Sequence, residues 1–124
     1  MKKFYVCEHC GNIVTKIIDS GVPLVCCGTE MKELVPNTTD AAGEKHVPEV
    51  KVEGNVLTAH VGSVTHPMEE KHYIQFIFVE TETGGHKKEL KPGEEPTFVV
   101  NLGDEKPVAV YEYCNLHGLW KVEL

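Results

Sequence analysis

The sequence predicts an all-β protein, with a small metal-stapled unit followed by an antiparallel β-sandwich. Three observations carry this. Four of the five cysteines fall in the first 27 residues, as C-E-H-C at 7–10 and an adjacent pair at 26–27. From Val47 onward, short β-prone runs recur with turn residues between them. No segment sustains an apolar period of 3.6 residues, so no long helix is expected.

In the first unit, Phe4–Val6 and Ile13–Ile18 are β-prone runs flanking the first cysteine pair, with turn signals at Gly11-Asn12 and Gly28. The polar stretch P-N-T-T-D-A-A-G-E at 36–44 reads as a link. The expected division is therefore 1–36 and 37–124, with 37–44 as the connection. Strands are expected near Val50–Val52, Val56–Val61, Tyr73–Glu80, His86–Leu90, Thr97–Val100, Val108–Glu112 and Leu119–Val122. Turns fall at Glu53-Gly54-Asn55, Thr83-Gly84-Gly85, Lys91-Pro92-Gly93 and Leu102-Gly103-Asp104. About seven short strands at this spacing indicate a sandwich of immunoglobulin-like type.

A chain of 124 residues holds one ordinary domain, or one with a small appendage. Its longest apolar runs are a few residues, far short of a membrane span. Two lysines follow Met1 without an apolar run behind them, so the expected compartment is the cytoplasm. Thiols stay reduced there, which favours metal ligation over disulfides. The net charge of −7 argues against a general nucleic-acid binder. It also means that an anionic substrate needs a local positive spot.

Four thiolates can close a tetrahedron around one ion, and Cys7, Cys10, Cys26 and Cys27 supply them. Cys26 and Cys27 are adjacent, and neighbouring side chains of an extended chain point apart, so both can reach one ion only through a sharp bend. The sulfur set suits zinc or iron, and the spacing does not choose between them. Haem attachment needs a histidine where Gly11 stands. A thioredoxin-like pair would open a helix, whereas β-prone Ile13-Val14-Thr15 follows. A structural zinc knuckle remains open at this point.

A second cluster is suggested by Cys114 and His117, a thiolate and an imidazole offered from one turn. His66 and His72 bound the polar loop H-P-M-E-E-K-H, and His46 follows the link in E-K-H-V-P. All four histidines fall in loops or at strand borders, where distant segments can assemble a site. His60, inside a strand, His86, beside a Gly-Gly turn, and His9, between two cysteines, read as non-ligands. The bland alternative makes Cys114 a buried apolar residue and the histidines scattered surface groups.

C-E-H-C-G-N with a later Cys-Cys-Gly resembles the desulforedoxin-like domain. E-K-H-V-P, T-H-P-M-E-E-K-H-Y-I and C-N-L-H-G-L-W resemble the catalytic domain of the desulfoferrodoxin family of two-iron superoxide reductases. The resemblance spans essentially the whole chain, with its motifs in order. It implies that Cys7, Cys10, Cys26 and Cys27 bind an electron-transferring iron. It implies a second iron on His46, His66, His72 and His117 in a plane, with Cys114 axial and the opposite position open. Glu44 and Lys45 are then the catalytic residues beside that position. The implied reaction is one-electron reduction of superoxide to hydrogen peroxide, in defence against oxidative stress. The implied partners are a rubredoxin-type donor and a second copy of the chain in a homodimer, with no nucleic acid and no membrane. The competing function is a non-catalytic iron electron-transfer or metal-binding module, whose second centre would have a closed shell of ligands.

Overall fold

Twelve strands and one turn of helix carry the chain in the computed structural model, which describes residues 1–124. Two units separate, Met1–Val35 and Pro36–Leu124. No helix is long and apolar enough to cross a membrane.

In the first unit, β1 (Phe4–Val6) pairs antiparallel with β2 (Ile13–Thr15). The two-residue strands β3 (Val25–Cys26) and β4 (Thr29–Glu30) form a small hairpin, and β5 (Lys32–Leu34) pairs with the free side of β1. The buried apolar residues of this unit are Phe4, Cys7 and Met31. So small a core leaves the fold in need of another staple. Strand β2 is shorter than the β-prone run suggests. After Thr15 the Lys16 ammonium bonds the Val22 carbonyl at 2.7 Å and Asp19 at 3.0 Å, while Asp19 accepts the Gly21 N–H at 2.8 Å. This polar turn ends the ladder and leaves Ile17 and Ile18 exposed. Strands β3, β4 and β5 were not expected, because two or three residues carry no readable alternation.

The second unit opens with α1 (Gly43–His46), a single turn too short to leave a period in the sequence. Then come β6 (Pro48–Glu53), β7 (Val56–Val61), β8 (Ile74–Thr81), β9 (Gly85–Glu89), β10 (Thr97–Asn101), β11 (Pro107–Cys114) and β12 (Gly118–Glu123). They form two antiparallel sheets, ordered β10-β7-β6 and β12-β11-β8-β9. These seven strands are the sandwich that the turn spacing indicates. Period-two alternation shows in β7, where Leu57, Ala59 and Val61 are buried and Val56, Thr58 and His60 are half-exposed. The inward residues meet Ile74, Ile77 and Val79 of β8 and Val110 of β11 between the sheets. Each of these Leu, Ile and Val side chains contributes about 1.5–3 kcal/mol by leaving water.

Two details place the loops that carry histidines. Tyr113 pairs with Phe76 but Cys114 with Ile74, so Gln75 is an extra residue in β8. A bulge of this kind bends the strand end and re-aims what precedes it. The stretch 37–44, read from sequence as a link, is tied to the second unit. Asn37 accepts the Lys121 N–H at 2.8 Å and donates from its side chain to the Lys121 carbonyl at 3.1 Å. One side-chain amide thus satisfies both groups that Lys121 presents at the free edge of β12.

Candidate metal centres

The first cluster is built by two turns. Gly11 N–H bonds the Cys7 carbonyl at 2.8 Å and Cys7 N–H bonds the Asn12 carbonyl at 2.9 Å, which curls C-E-H-C into a knuckle. Across from it, Cys27 has φ +53° and Gly28 φ +73°. Two successive left-handed residues make the sharp bend that the adjacent cysteines require, and glycine takes that conformation without strain. The four sulfurs lie within 4.8 Å of one another. Cys10 Sγ is 3.6 Å from Cys26 Sγ, and Cys26 Sγ is 4.0 Å from Cys27 Sγ. A tetrahedral ion with bonds of about 2.3 Å needs sulfurs about 3.8 Å apart, so the set fits a single ion.

Electrostatics point the same way. Backbone N–H groups, that of Cys10 foremost, hold the Cys7 thiol down to about 6. Hydrogen bonding with Cys7, Cys10 and Cys26 pushes Cys27 up to about 12. Four sulfurs this close cannot all ionise unless a cation joins them. His9 is not among them; its Nε2 meets Thr29 Oγ1 at 3.3 Å.

The second cluster draws on four places in the sandwich unit. His46 closes α1 and is turned inward, 2% exposed, with Nδ1 on the Ala42 carbonyl at 2.7 Å. His66 Nδ1 is held by the Pro67 carbonyl at 2.7 Å. Those bonds make Nδ1 the donor in each ring and leave Nε2 as the free ligand atom. His72 sits on a tight turn in which Glu69 and His72 exchange backbone hydrogen bonds of 2.9 and 3.0 Å. Asn115 fastens that turn to the β11–β12 connection: its Oδ1 accepts from Tyr73 N–H at 2.9 Å and its Nδ2 donates to the Lys71 carbonyl at 3.0 Å. Cys114 ends β11, fully buried, and His117 lies in the turn before β12.

The four rings close a square. His46 meets His66, His66 meets His72, His72 meets His117 and His117 meets His46. Ring centroids are 4.6–5.1 Å apart and each ring stands 77–85° to the next. His46 Nε2 is 3.2 Å from His66 Nε2 and 3.1 Å from His117 Nδ1. Cys114 Sγ is 3.9 Å from His117 Nδ1. His72 Nε2 is buried and has no hydrogen-bond partner, a costly state for a ring nitrogen that a metal bond would relieve. The donor set of imidazoles and one thiolate suits iron.

Burial, then the neighbouring histidines, pushes His66 down to about 4 and lowers His46 and His72 as well. Neutral imidazoles, the ligand form, result at pH 7. Burial raises Cys114, against the N–H groups of Leu116 and His117, which favour its thiolate. The other histidines lie elsewhere. His60 bonds Thr97 and Thr65, and His86 bonds Glu105 at 2.9 Å. Glu44 and Lys45 are exposed on α1 next to His46, and the charge of Lys45 acts on both His46 and His72.

Sequence reasoning missed two side chains. Trp120 stacks on His46 with centroids 4.9 Å apart and donates its indole N–H to the His117 carbonyl at 3.0 Å. Glu112 is fully buried with both carboxyl oxygens unpartnered, and burial raises it well above the usual carboxylate range. The period-two register it shares with Cys114 along β11 was the available signal.

An all-β protein with one four-sulfur and one histidine–sulfur cluster is a two-metal redox protein in class. Residues 1–34 match the family described as Desulfoferrodoxin, N-terminal domain, and residues 38–123 match the family described as Desulfoferrodoxin. A desulfoferrodoxin from Nitratidesulfovibrio vulgaris is 48% identical over 121 residues, covering 98% of this chain and 95% of that one. The crystal structure of the superoxide reductase from Treponema pallidum superposes with a TM-score of 0.82 at 32% identity, over 99% of both chains. A superoxide reductase (1Fe-SOR) from Giardia intestinalis matches 65% of this chain and 99% of its own, with TM-score 0.55 and 37% identity. The chain belongs to the desulfoferrodoxin family, and its two clusters fit two iron ions per chain.

Proposed function

We propose that this chain is a superoxide reductase, converting superoxide to hydrogen peroxide at the histidine–cysteine centre. The observation that carries the reading is the square of four imidazoles beside a buried cysteine. Family membership and the likeness to superoxide reductases of other organisms support it. Bound iron supplies the single electron that superoxide takes up, and two protons complete hydrogen peroxide. His46, His66, His72 and His117 would hold the ion through their imidazole nitrogens, and Cys114 would add the thiolate that the Leu116 and His117 N–H groups favour. Lys45 gives a local positive charge to a chain of net charge −7, which draws in the anion. Glu44 stands beside it on the solvent side, where protons arrive from water.

Cys7, Cys10, Cys26 and Cys27 would hold the first iron, at the four-sulfur centre, to relay electrons without touching substrate. The proposed division of labour gives residues 1–36 electron entry and residues 37–124 the chemistry. A rubredoxin-type donor, a homodimer and a cytoplasmic setting complete the proposal. Stopped-flow mixing of ferrous protein with superoxide tests it. Rapid growth of the ferric bands of the histidine–cysteine centre, lost in Cys114→Ser, is expected. A ferrous protein indifferent to superoxide refutes the enzyme and leaves an electron-transfer module.

A further inference from the structure

The loop between β7 and β8 does more than deliver His66. Its first turn grips the backbone of α1. Val64 N–H donates to the Glu44 carbonyl at 2.8 Å, and the Ser63 hydroxyl donates to the same oxygen at 3.2 Å. Gly62 packs so close that a Cβ there would lie 2.6 Å from the Glu44 oxygen and 2.9 Å from the Lys45 carbonyl carbon. Side chains do not reach such distances, so only glycine admits the contact. The turn is itself fixed at both ends. His66 N–H closes it on the Val61 carbonyl at 2.9 Å. Behind it, His60 bridges Thr65 at 3.0 Å and Thr97 of β10 at 2.7 Å.

We propose that Gly62, Ser63 and Val64 form a clamp that positions Glu44 and Lys45 over the histidine–cysteine centre, with His60 as its strut. The proposal rests on the superoxide reductase reading above. α1 has four residues and no side-chain cap, and the buried ring of His46 anchors only its last residue. The doubly accepted Glu44 carbonyl supplies that fixing from outside. It also ties the ligand candidate His66 to the segment that carries His46. Gly62 and Ser63 are thus positioning residues: they touch neither substrate nor metal and act through the residues they hold. His60, whose ring nitrogens are both engaged by hydroxyls, holds the turn to the sandwich edge.

The test uses the full-length iron-loaded protein and the variants Ser63→Ala, Ser63→Thr and Gly62→Ala. Three readouts are taken: iron per chain, hydrogen exchange at the Val64 amide, and the second-order rate of ferrous protein with superoxide across a salt series. Losing one hydrogen bond shifts the clamped population by about fivefold. Ser63→Ala should keep both irons, speed Val64 exchange by about fivefold, slow the reaction about threefold and flatten its salt dependence. Ser63→Thr keeps the hydroxyl and should restore wild-type behaviour. Gly62→Ala should slow the reaction by about tenfold or more, since backbone must move. A purely structural turn would leave the salt slope unchanged wherever iron is retained. Wild-type rate and slope in Ser63→Ala and Gly62→Ala, with both irons bound, overturn the clamp, as does a Ser63→Thr protein as slow as Ser63→Ala. Should Gly62→Ala lose iron, the two Ser63 variants decide alone. A wild-type ferrous protein that ignores superoxide overturns the functional reading itself, and the clamp with it.

Discussion

Replacing Lys45 with alanine should slow the reaction of ferrous protein with superoxide about three- to tenfold. Lys45 is exposed on α1, directly before His46, and its charge disfavours protonation of both His46 and His72. The ammonium therefore acts on the space those rings enclose. A unit charge at roughly 5 Å from an anion is worth about 0.8 kcal/mol in water and about 1.7 kcal/mol at an effective dielectric of 40. Those energies correspond to about fourfold and somewhat over tenfold in local anion concentration. The side chain faces solvent, so the lower value governs at moderate salt, where the Debye length is about 10 Å at 0.1 M. Pulse-radiolysis rates for wild type and Lys45→Ala across an ionic-strength series measure both the rate and its slope. The variant should be slower and less salt-sensitive, with the visible spectrum of bound iron unchanged. Equal rates with equal slopes would show that steering by Lys45 plays no part.

Cys27→Ser should lower iron from two to one per chain by metal analysis and remove the bands of the four-sulfur centre. Pre-reduced variant should still react with superoxide within about threefold of wild type if, as proposed, that centre serves electron relay alone. Cys114→Ser should abolish superoxide reduction, whereas His86→Ala, which breaks only the contact with Glu105, should keep both irons and full activity in the same assays. Glu112 has its folded-state pKa raised by burial, so it adds stability below the unfolded value of 4.5 that is lost as pH rises above it. Glu112→Gln should therefore gain on wild type in melting temperature as pH is raised from 4.5 towards neutrality. An unchanged difference between the two melting curves across that range would mean Glu112 is not held protonated.

The sandwich was legible because its strands are long enough to alternate: Leu57, Ala59 and Val61 point inward at every second position of β7. Cluster residues were legible for a different reason. Histidine and cysteine are scarce, and the structure brings the cysteines at 7, 10, 26 and 27 to one point and His46, His66, His72, Cys114 and His117 to another. What stayed hidden has no period and no rare residue type. Strands β3 and β4 have two residues each, and α1 is a single turn. The clamp on Glu44 is made by a glycine, a serine and a backbone amide, none of which the sequence marks as special. Ile17 and Ile18 misled in the opposite direction, since apolar β-formers continue past the point where Asp19 and Lys16 turn the chain.

Product balance tests the central claim most directly. Fully reduced protein is mixed with a known amount of superoxide, and hydrogen peroxide and oxygen are both measured. A superoxide reductase takes the electron from its own iron, so each superoxide consumed should yield one hydrogen peroxide and no oxygen. Release of one oxygen for every two superoxide ions, with the iron still ferrous at the end, would mark a dismutase and contradict the account.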